Sequence, residues 1–237
     1  MKIQQVFPNI DHLELDNLSN SVHDKWLTEG PYCERFLKRS LEITRAKYAV
    51  LAPNGTLGLY LALLALDLKP KSEVIVPSFT FYASAMAVYF AGLTPVFVDV
   101  EPDTYNIDLD KTRDLISSNT SAIMPVHVYG QSAKMDALKE LCDEKGIKIV
   151  EDAAQGFGVN YNGKHTGTIG DVGVISFFAD KTITMGEGAL ILTNNEDIYK
   201  KLKLLRNQGR PNSGTFIHPS LGMNFRITDL HAAVGCA

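Results

Sequence analysis

Lys181 closes the segment Ser176-Phe177-Phe178-Ala179-Asp180-Lys181, which follows the apolar pair Val174-Ile175 and precedes Gly186-Glu187-Gly188. A single lysine is ordinarily a surface residue, but an apolar strand before it and a glycine-rich stretch after it favour a buried turn. A desolvated lysine loses part of its preference for the charged form and attacks an aldehyde as the free amine. Ser176 can offer its hydroxyl to a phosphate. A second segment, Val150-Glu151-Asp152-Ala153-Ala154-Gln155-Gly156, ends an apolar run on a carboxylate. Asp152 there is either a helix cap or the partner that keeps a pyridine nitrogen protonated, so that the ring becomes an electron sink. Gln155 can hydrogen-bond a phenolic oxygen on such a ring.

Two further segments complete the set. Asn54-Gly55-Thr56-Leu57 opens a helical stretch. Free N–H groups and the helix dipole suit that position to a phosphate, and Gly55 lets the backbone come close. Asn-Gly is equally a common turn. In Pro77-Ser78-Phe79-Thr80-Phe81-Tyr82 the aromatics are either core residues or a platform. Phe81, just past a strand end, is the candidate to stack on a planar ring.

The elements that must position these residues alternate along the chain. Tyr48–Leu51 leads to a helix over Leu57–Leu68, Val74-Ile75-Val76 to a helix through Ala91, and Val96-Phe97-Val98 ends at Asp99. Ala122-Ile123-Met124 ends near His127, Lys134–Lys145 has helical spacing, and Ile147–Val150 ends at Glu151-Asp152. Strand-then-helix repetition predicts an α/β fold, a mostly parallel sheet covered on both faces. Ligands bind such sheets at the C-terminal ends of the strands, where all four segments fall. Residues 1–47 read differently, as helical stretches over Asp11–Leu27 and Tyr32–Lys47 around the turn Thr28-Glu29-Gly30-Pro31. The organisation expected is thus an N-terminal helical segment, 1–47, followed by a large domain, 48–237.

Composition excludes several classes. Of 237 residues, 45% are hydrophobic and 21% charged, an ordinary globular balance with material for a large core. The net charge of −4 contains no like-charge block, so neither nucleic acid nor a membrane surface is an expected partner. Cys33, Cys142 and Cys236 are odd in number, with neither disulfide-framework nor zinc spacing, which suggests a reducing compartment and no metal. The start, Met1 to Pro8, lacks the apolar core of a signal peptide, and no apolar run is long enough to span a bilayer. A soluble cytoplasmic protein is expected. Thr228–Gly235 reads as the start of a helix capped by Thr228, yet the sequence stops at Ala237. A truncation is therefore expected.

Taken in order, these segments resemble the DegT/DnrJ/EryC1/StrS family of pyridoxal-phosphate-dependent sugar aminotransferases. The resemblance runs from Trp26-Leu27-Thr28-Glu29-Gly30-Pro31 to the last residue. Besides the segments above it includes Pro125-Val126-His127-Val128-Tyr129-Gly130-Gln131 and Asn224-Phe225-Arg226-Ile227-Thr228-Asp229. It implies the type I fold of pyridoxal-phosphate enzymes (the aspartate-aminotransferase-like α/β/α sandwich). It implies Lys181 as the Schiff-base lysine, Asp152 at the pyridine nitrogen, and Gln155 near the phenolic oxygen. Gly55, Thr56 and Ser176 would hold the phosphate of pyridoxal 5′-phosphate, and Phe81 would stack on its ring. Asn224 would reach the phosphate of a neighbouring subunit, so that a homodimer shares its active sites. The implied activity moves an amino group from glutamate to a keto sugar, usually nucleotide-linked, in surface-polysaccharide or antibiotic biosynthesis.

Two departures stand out. Ala189 replaces a second glycine after Gly186-Glu187-Gly188 and would crowd that turn. Family members also continue into a smaller C-terminal domain that covers the substrate, absent here, so the chain is expected to keep its cofactor site and to turn over poorly. A sugar dehydratase of the same family would carry histidine at the position of Lys181. An NAD-binding domain would carry Gly-x-Gly-x-x-Gly after its first strand, which is missing. A non-catalytic fragment has only the early stop in its favour. His127, Tyr129, Arg206, Arg210 and the segment Asn212–His218 are expected near the substrate.

Overall fold

The computed structural model describes residues 7–212 and 214–237. Residues 1–6, part of the stretch read above for a leader, and Ser213, part of the expected substrate-side segment, lie outside them.

Two N-terminal helices, α1 (His12–His23) and α2 (Pro31–Thr44), precede an alternating run. Strand β1 (Tyr48–Ala52) leads to α3 (Gly55–Ala65), β2 (Glu73–Pro77) to α4 (Ala83–Phe90), and β3 (Thr94–Val98) to α5 (Leu109–Leu115). Strand β4 (Thr120–Ile123) leads to α6 (Met135–Lys145), then β5 (Lys148–Asp152). A two-residue hairpin, β6 (Asn160–Tyr161) and β7 (Lys164–His165), comes before β8 (Val172–Ser176) and β9 (Ala189–Thr193). The helices α7 (Glu196–Arg206) and α8 (Asp229–Gly235) follow.

Seven strands form one sheet in the order β1-β9-β8-β5-β4-β2-β3. Only β9 is reversed, pairing antiparallel with β1 and β8. Parallel return needs a crossover, usually a helix. The β8–β9 connection, Phe177–Gly188, contains no helix, so the chain doubles back. Alternation sorts the side chains to two faces. Val50, Val74, Val76, Val174 and Ile191 join Leu59, Leu61 and Leu202 on one side. On the other, Leu51, Ile175 and Leu190 pack with Phe36 of α2 and Ala232 of α8, while Ile75, Ile123 and Ile149 pack with Met135 and Leu138. This is the expected α/β/α sandwich, and no helix among the described residues is long and apolar enough to cross a membrane.

Several boundaries move. The α1 helix starts on a capping box of Asp11 and Glu14 but stops short of Leu27, because Lys25 takes a left-handed backbone (φ 57°). The α3 helix begins at Gly55, two residues before the expected Leu57. Ala189 does not crowd a turn: it is buried inside β9, paired with Ala52 and Ser176.

The cap of α2 comes from the far end of the sequence. Its N-cap residue, Gly30, has no side chain to offer. Buried Asp229 accepts instead from the N–H groups of Gly30 (3.0 Å), Tyr32 (3.1 Å) and Cys33 (2.8 Å). Asp229→Ala leaves these donors without an acceptor and should lower unfolding free energy by about 2–3 kcal/mol in urea denaturation. Asp229→Asn, which keeps one acceptor oxygen, should lose less. Equal stability of all three proteins would show that the cap contributes nothing.

Candidate active site

The C-terminal ends of β1, β2, β5 and β8 open onto a cavity of about 490 Å³ lined by Gly55, Thr56, Phe81, Asp152, Gln155, Ser176 and Lys181. At its phosphate-like end stands the first turn of α3. The Asn54 side chain caps it, accepting from Leu57 N–H at 3.0 Å. The N–H groups of Gly55 and Thr56 have no acceptor inside a helix that starts there. A Cβ placed on Gly55 would stand 3.0 Å from Ser176 Cβ and 3.2 Å from its Oγ. The bare glycine and the serine hydroxyl therefore form one concave donor surface, which suits a phosphate.

Asp152, the last residue of β5, is 4% exposed. One oxygen accepts from Ser84 Oγ at 2.7 Å and the other from Ala154 N–H at 3.1 Å. Burial pushes its carboxyl above the usual range, opposed by the Ser84 hydroxyl and the Ala154 N–H. Among the described residues it forms no salt bridge. A buried carboxylate held in place without a cation is what a protonated ring nitrogen would complete, so the residues fit a phosphorylated pyridine cofactor.

Lys181 lies on the β8–β9 connection. Phe177 anchors that connection: it is fully buried between Phe36 and Phe157, at centroid distances of 5.1 and 5.5 Å. Backbone bonds from Phe177 to Gly188 and from Met185 to Phe177 close the loop. The Lys181 side chain is 20% exposed, with Nζ 3.4 Å from the Asp180 carboxylate. It also lines a smaller cavity of about 260 Å³ that shares Phe81, Asp152 and Gln155 and extends to Phe79 and Tyr129. Gln155 Oε1 accepts from Tyr129 N–H at 2.5 Å. With its oxygen committed to a donor, the Gln155 amide keeps its NH₂ for an acceptor. Phe81 is 80% exposed at the mouth.

Other expected residues are engaged elsewhere. Asn224 is exposed and lines neither cavity. Arg206 is a strut: Nε donates to the Leu51 carbonyl at 2.8 Å and the guanidinium meets Glu29 at 2.9 and 3.1 Å. Arg210 donates to Gln208 Oε1 at 3.0 Å, and His218 Nδ1 lies 2.8 Å from the Gln208 carbonyl. Neither Arg210 nor any described residue of the 212–218 segment lines the two cavities. His127 does join the lining of the smaller cavity, as expected, but is fully buried, with Nε2 2.9 Å from Glu151 and Nδ1 accepting from Ala133 N–H. Glu151 also accepts from the N–H groups of Gly167, Ile169 and Gly170, so this pair is a structural hub beside the site. Ser84 was not anticipated; it carries no local motif, and its partner, Asp152, lies 68 residues away at the end of a strand.

The model of the DegT/DnrJ/EryC1/StrS aminotransferase family matches residues 8–237. The GDP-perosamine synthase of Caulobacter vibrioides is 40% identical over the whole chain, which covers 64% of that protein. A UDP-N-acetyl-3-dehydro-alpha-D-glucosamine 3-aminotransferase of Acidithiobacillus ferrooxidans is 41% identical over 76% of the chain and 49% of its own length. The crystal structure of an aminotransferase from Psychrobacter cryohalolentis superposes with a TM-score of 0.93 at 34% identity, covering 97% of this chain and 61% of that one. The chain spans less than two thirds of the length of these relatives.

Proposed function

The chain belongs to the DegT/DnrJ/EryC1/StrS aminotransferase family, and from that premise we propose that it transfers an amino group from glutamate to a keto sugar carried on a nucleotide. The family depends on pyridoxal phosphate. The observation that carries the reading is the shared cavity: a buried carboxylate at one point, a half-buried lysine at another, and a glycine–serine cradle at a third. Relatives named for GDP- and UDP-linked sugars support the acceptor class.

When bound, pyridoxal phosphate supplies an aldehyde for amine condensation and a protonated ring that takes up the electron pair released at the amine-bearing carbon. The N–H groups of Gly55 and Thr56 and the Ser176 hydroxyl bind the phosphate. The Asp152 carboxylate would accept from the protonated ring nitrogen and keep its proton in place, and Ser84 fixes the direction of that carboxylate. Gln155 donates from Nε2 to the ring oxygen. Phe81 covers one ring face and excludes water from it. Lys181 Nζ would hold the aldehyde end of the cofactor, and its free amine would move the proton on and off the substrate carbon. Asn224, exposed and away from its own cavity, serves the phosphate of a second copy across a two-fold axis. We read residues 48–237 as the cofactor-binding unit and 1–47 as a separate N-terminal segment whose helices α1 and α2 precede it, in a cytoplasmic homodimer.

Protein incubated with pyridoxal phosphate should gain an absorption band at the edge of the visible range. Borohydride should then fix the cofactor on Lys181, read by peptide mapping. A label on any other lysine sinks the assignment. A panel of 3-keto and 4-keto nucleotide sugars with glutamate then identifies the acceptor.

A further inference from the structure

Phe79 and Tyr129 line the outer end of the smaller cavity, and a third ring, Tyr105, packs on Phe79 from outside it. Phe79 lies 5.2 Å from Tyr105 and 6.3 Å from Tyr129, centroid to centroid. All three are partly open to solvent, Tyr129 most of all at 73%. Both tyrosines have left-handed backbone, Tyr105 at φ 57° and Tyr129 at φ 54°. That conformation is disfavoured for bulky side chains and persists only where the surroundings impose it, often at ligand sites. Here the surroundings are visible. Tyr105 N–H donates to the Glu101 carbonyl at 2.9 Å, and Lys134 pairs with the Glu101 carboxylate at 2.7 Å. Asn106 Nδ2 donates to the carbonyls of Gln131 and Ser132, both at 3.3 Å, so the loop bearing Tyr105 is tied to the loop bearing Tyr129.

The cavity runs from Lys181 and Asp152 at one end to Phe79 and Tyr129 at the other, with a volume of about 260 Å³. That is below the roughly 300–1,000 Å³ of pockets that enclose a drug-sized ligand. A volume of that order suits a single six-membered sugar ring rather than a whole nucleotide sugar. Tyr129 also holds Gln155 through its backbone, which keeps the aromatic cluster one residue from the reacting centre. The base of a nucleotide is separated from the reacting sugar by a ribose and a diphosphate, so it lies further out.

The geometry points to Phe79, Tyr105 and Tyr129 as the subsite for the sugar ring, with Phe79 and Tyr129 receiving its C–H face and Tyr105 backing Phe79. The assignment rests on the keto-sugar reading above and adds the part of the substrate these residues recognise. C–H bonds beside ring oxygens carry partial positive charge and are drawn to the negative face of an aromatic ring. The hydroxyl-bearing edges stay free for polar partners. Holding both tyrosines in a fixed left-handed turn orders the rings before the sugar arrives, which lowers the ordering cost of binding.

GDP-mannose and UDP-N-acetylglucosamine have no keto group, so they probe the subsite in the cofactor-loaded chain without reacting. In saturation-transfer NMR the hexose ring protons should receive more magnetisation than the base protons. By calorimetry, Phe79→Leu and Tyr129→Asn should each weaken both sugar nucleotides about tenfold, while free GDP and UDP bind as before. Asparagine tolerates the left-handed turn, so Tyr129→Asn removes the ring without added strain. Tyr129→Phe should bind like the wild type, and the cofactor absorption of every variant should confirm an intact fold. Saturation centred on the base, unchanged sugar-nucleotide affinity in both ring-deleted variants, or a shift in oligomeric mass with hexose binding intact would each overturn the subsite. Should the wild-type chain bind cofactor but neither sugar nucleotide, the keto-sugar reading itself fails and the subsite falls with it.

Discussion

Lys181→Ala is expected to reduce amino transfer from glutamate to a keto sugar by at least about 10⁴-fold. In the proposed function the side chain would have two tasks, anchoring the aldehyde carbon and moving the substrate proton, and proton transfer alone is worth about 10²–10⁴-fold. Folding should survive, since the one ion pair of Nζ among the described residues is with Asp180, at 3.4 Å, and Phe177 rather than Lys181 anchors the loop. The variant also tests the shared site. Asn224→Ala should be weak alone, because under the proposed two-fold arrangement it would lose the phosphate donor offered to the other copy. Mixing inactive Lys181→Ala with Asn224→Ala protein should restore about one quarter of wild-type turnover. Half the dimers are then mixed, and each has one site with neither change. No recovery after subunit exchange would place Asn224 outside the site, and near-normal turnover of Lys181→Ala would remove the lysine from the chemistry.

Asp152→Asn should cut transfer by about 30–1,000-fold, the equivalent of one buried charged interaction of about 2–4 kcal/mol in the transition state. Its effect on stability should have the opposite sign when no cofactor is bound. Burial raises the folded-state carboxyl above its ordinary value of 3.8. The folded chain therefore keeps this proton to higher pH than the unfolded chain does. That contribution is fully present below the ordinary value and is lost as pH rises through the folded one. Above the ordinary value the cofactor-free protein carries the cost of burying this carboxyl, and asparagine removes it. Cofactor-free Asp152→Asn should thus melt at the same temperature as the wild type or higher. Added pyridoxal phosphate should raise the melting temperature of the wild type more. An identical cofactor-induced shift in both proteins, with activity intact, would reduce Asp152 to a strand-end cap.

Much of the site was legible because its residues follow a positional rule. Asn54-Gly55, Asp152 and Ser176 each sit where an apolar run stops, and in a parallel sheet those stops lie along one edge. The structure brings them, with Phe81, Gln155 and Lys181, to one cavity. Contacts without a local pattern were not legible. Ser84 is one hydroxyl in an ordinary helix, and only the fold sets it 2.7 Å from Asp152. Arg206 looked free for a substrate because its partners, Leu51 and Glu29, lie 155 and 177 residues away. Strand β9 escaped notice because Ala189-Leu190-Ile191-Leu192 has no alternation; a strand buried on both faces looks like a buried helix of the same length. Its reversed direction depended on a second unread fact, the absence of a helix between Phe177 and Gly188.

The contact from Asp229 to the start of α2 also sets an order of events during synthesis. Its bond to Gly30 spans 199 residues. A ribosome working at about 5–20 residues per second takes on the order of 10–40 s to cover that distance. Throughout that interval α2 exists without the acceptor for its first N–H groups, and short uncapped helices are marginal in water. The segment made first is therefore among the last to be secured, and closing so long a loop is a slow, entropically costly step. Those amides become protected when α8 docks on α2, so their exchange with solvent marks that long-range closure rather than formation of one helix.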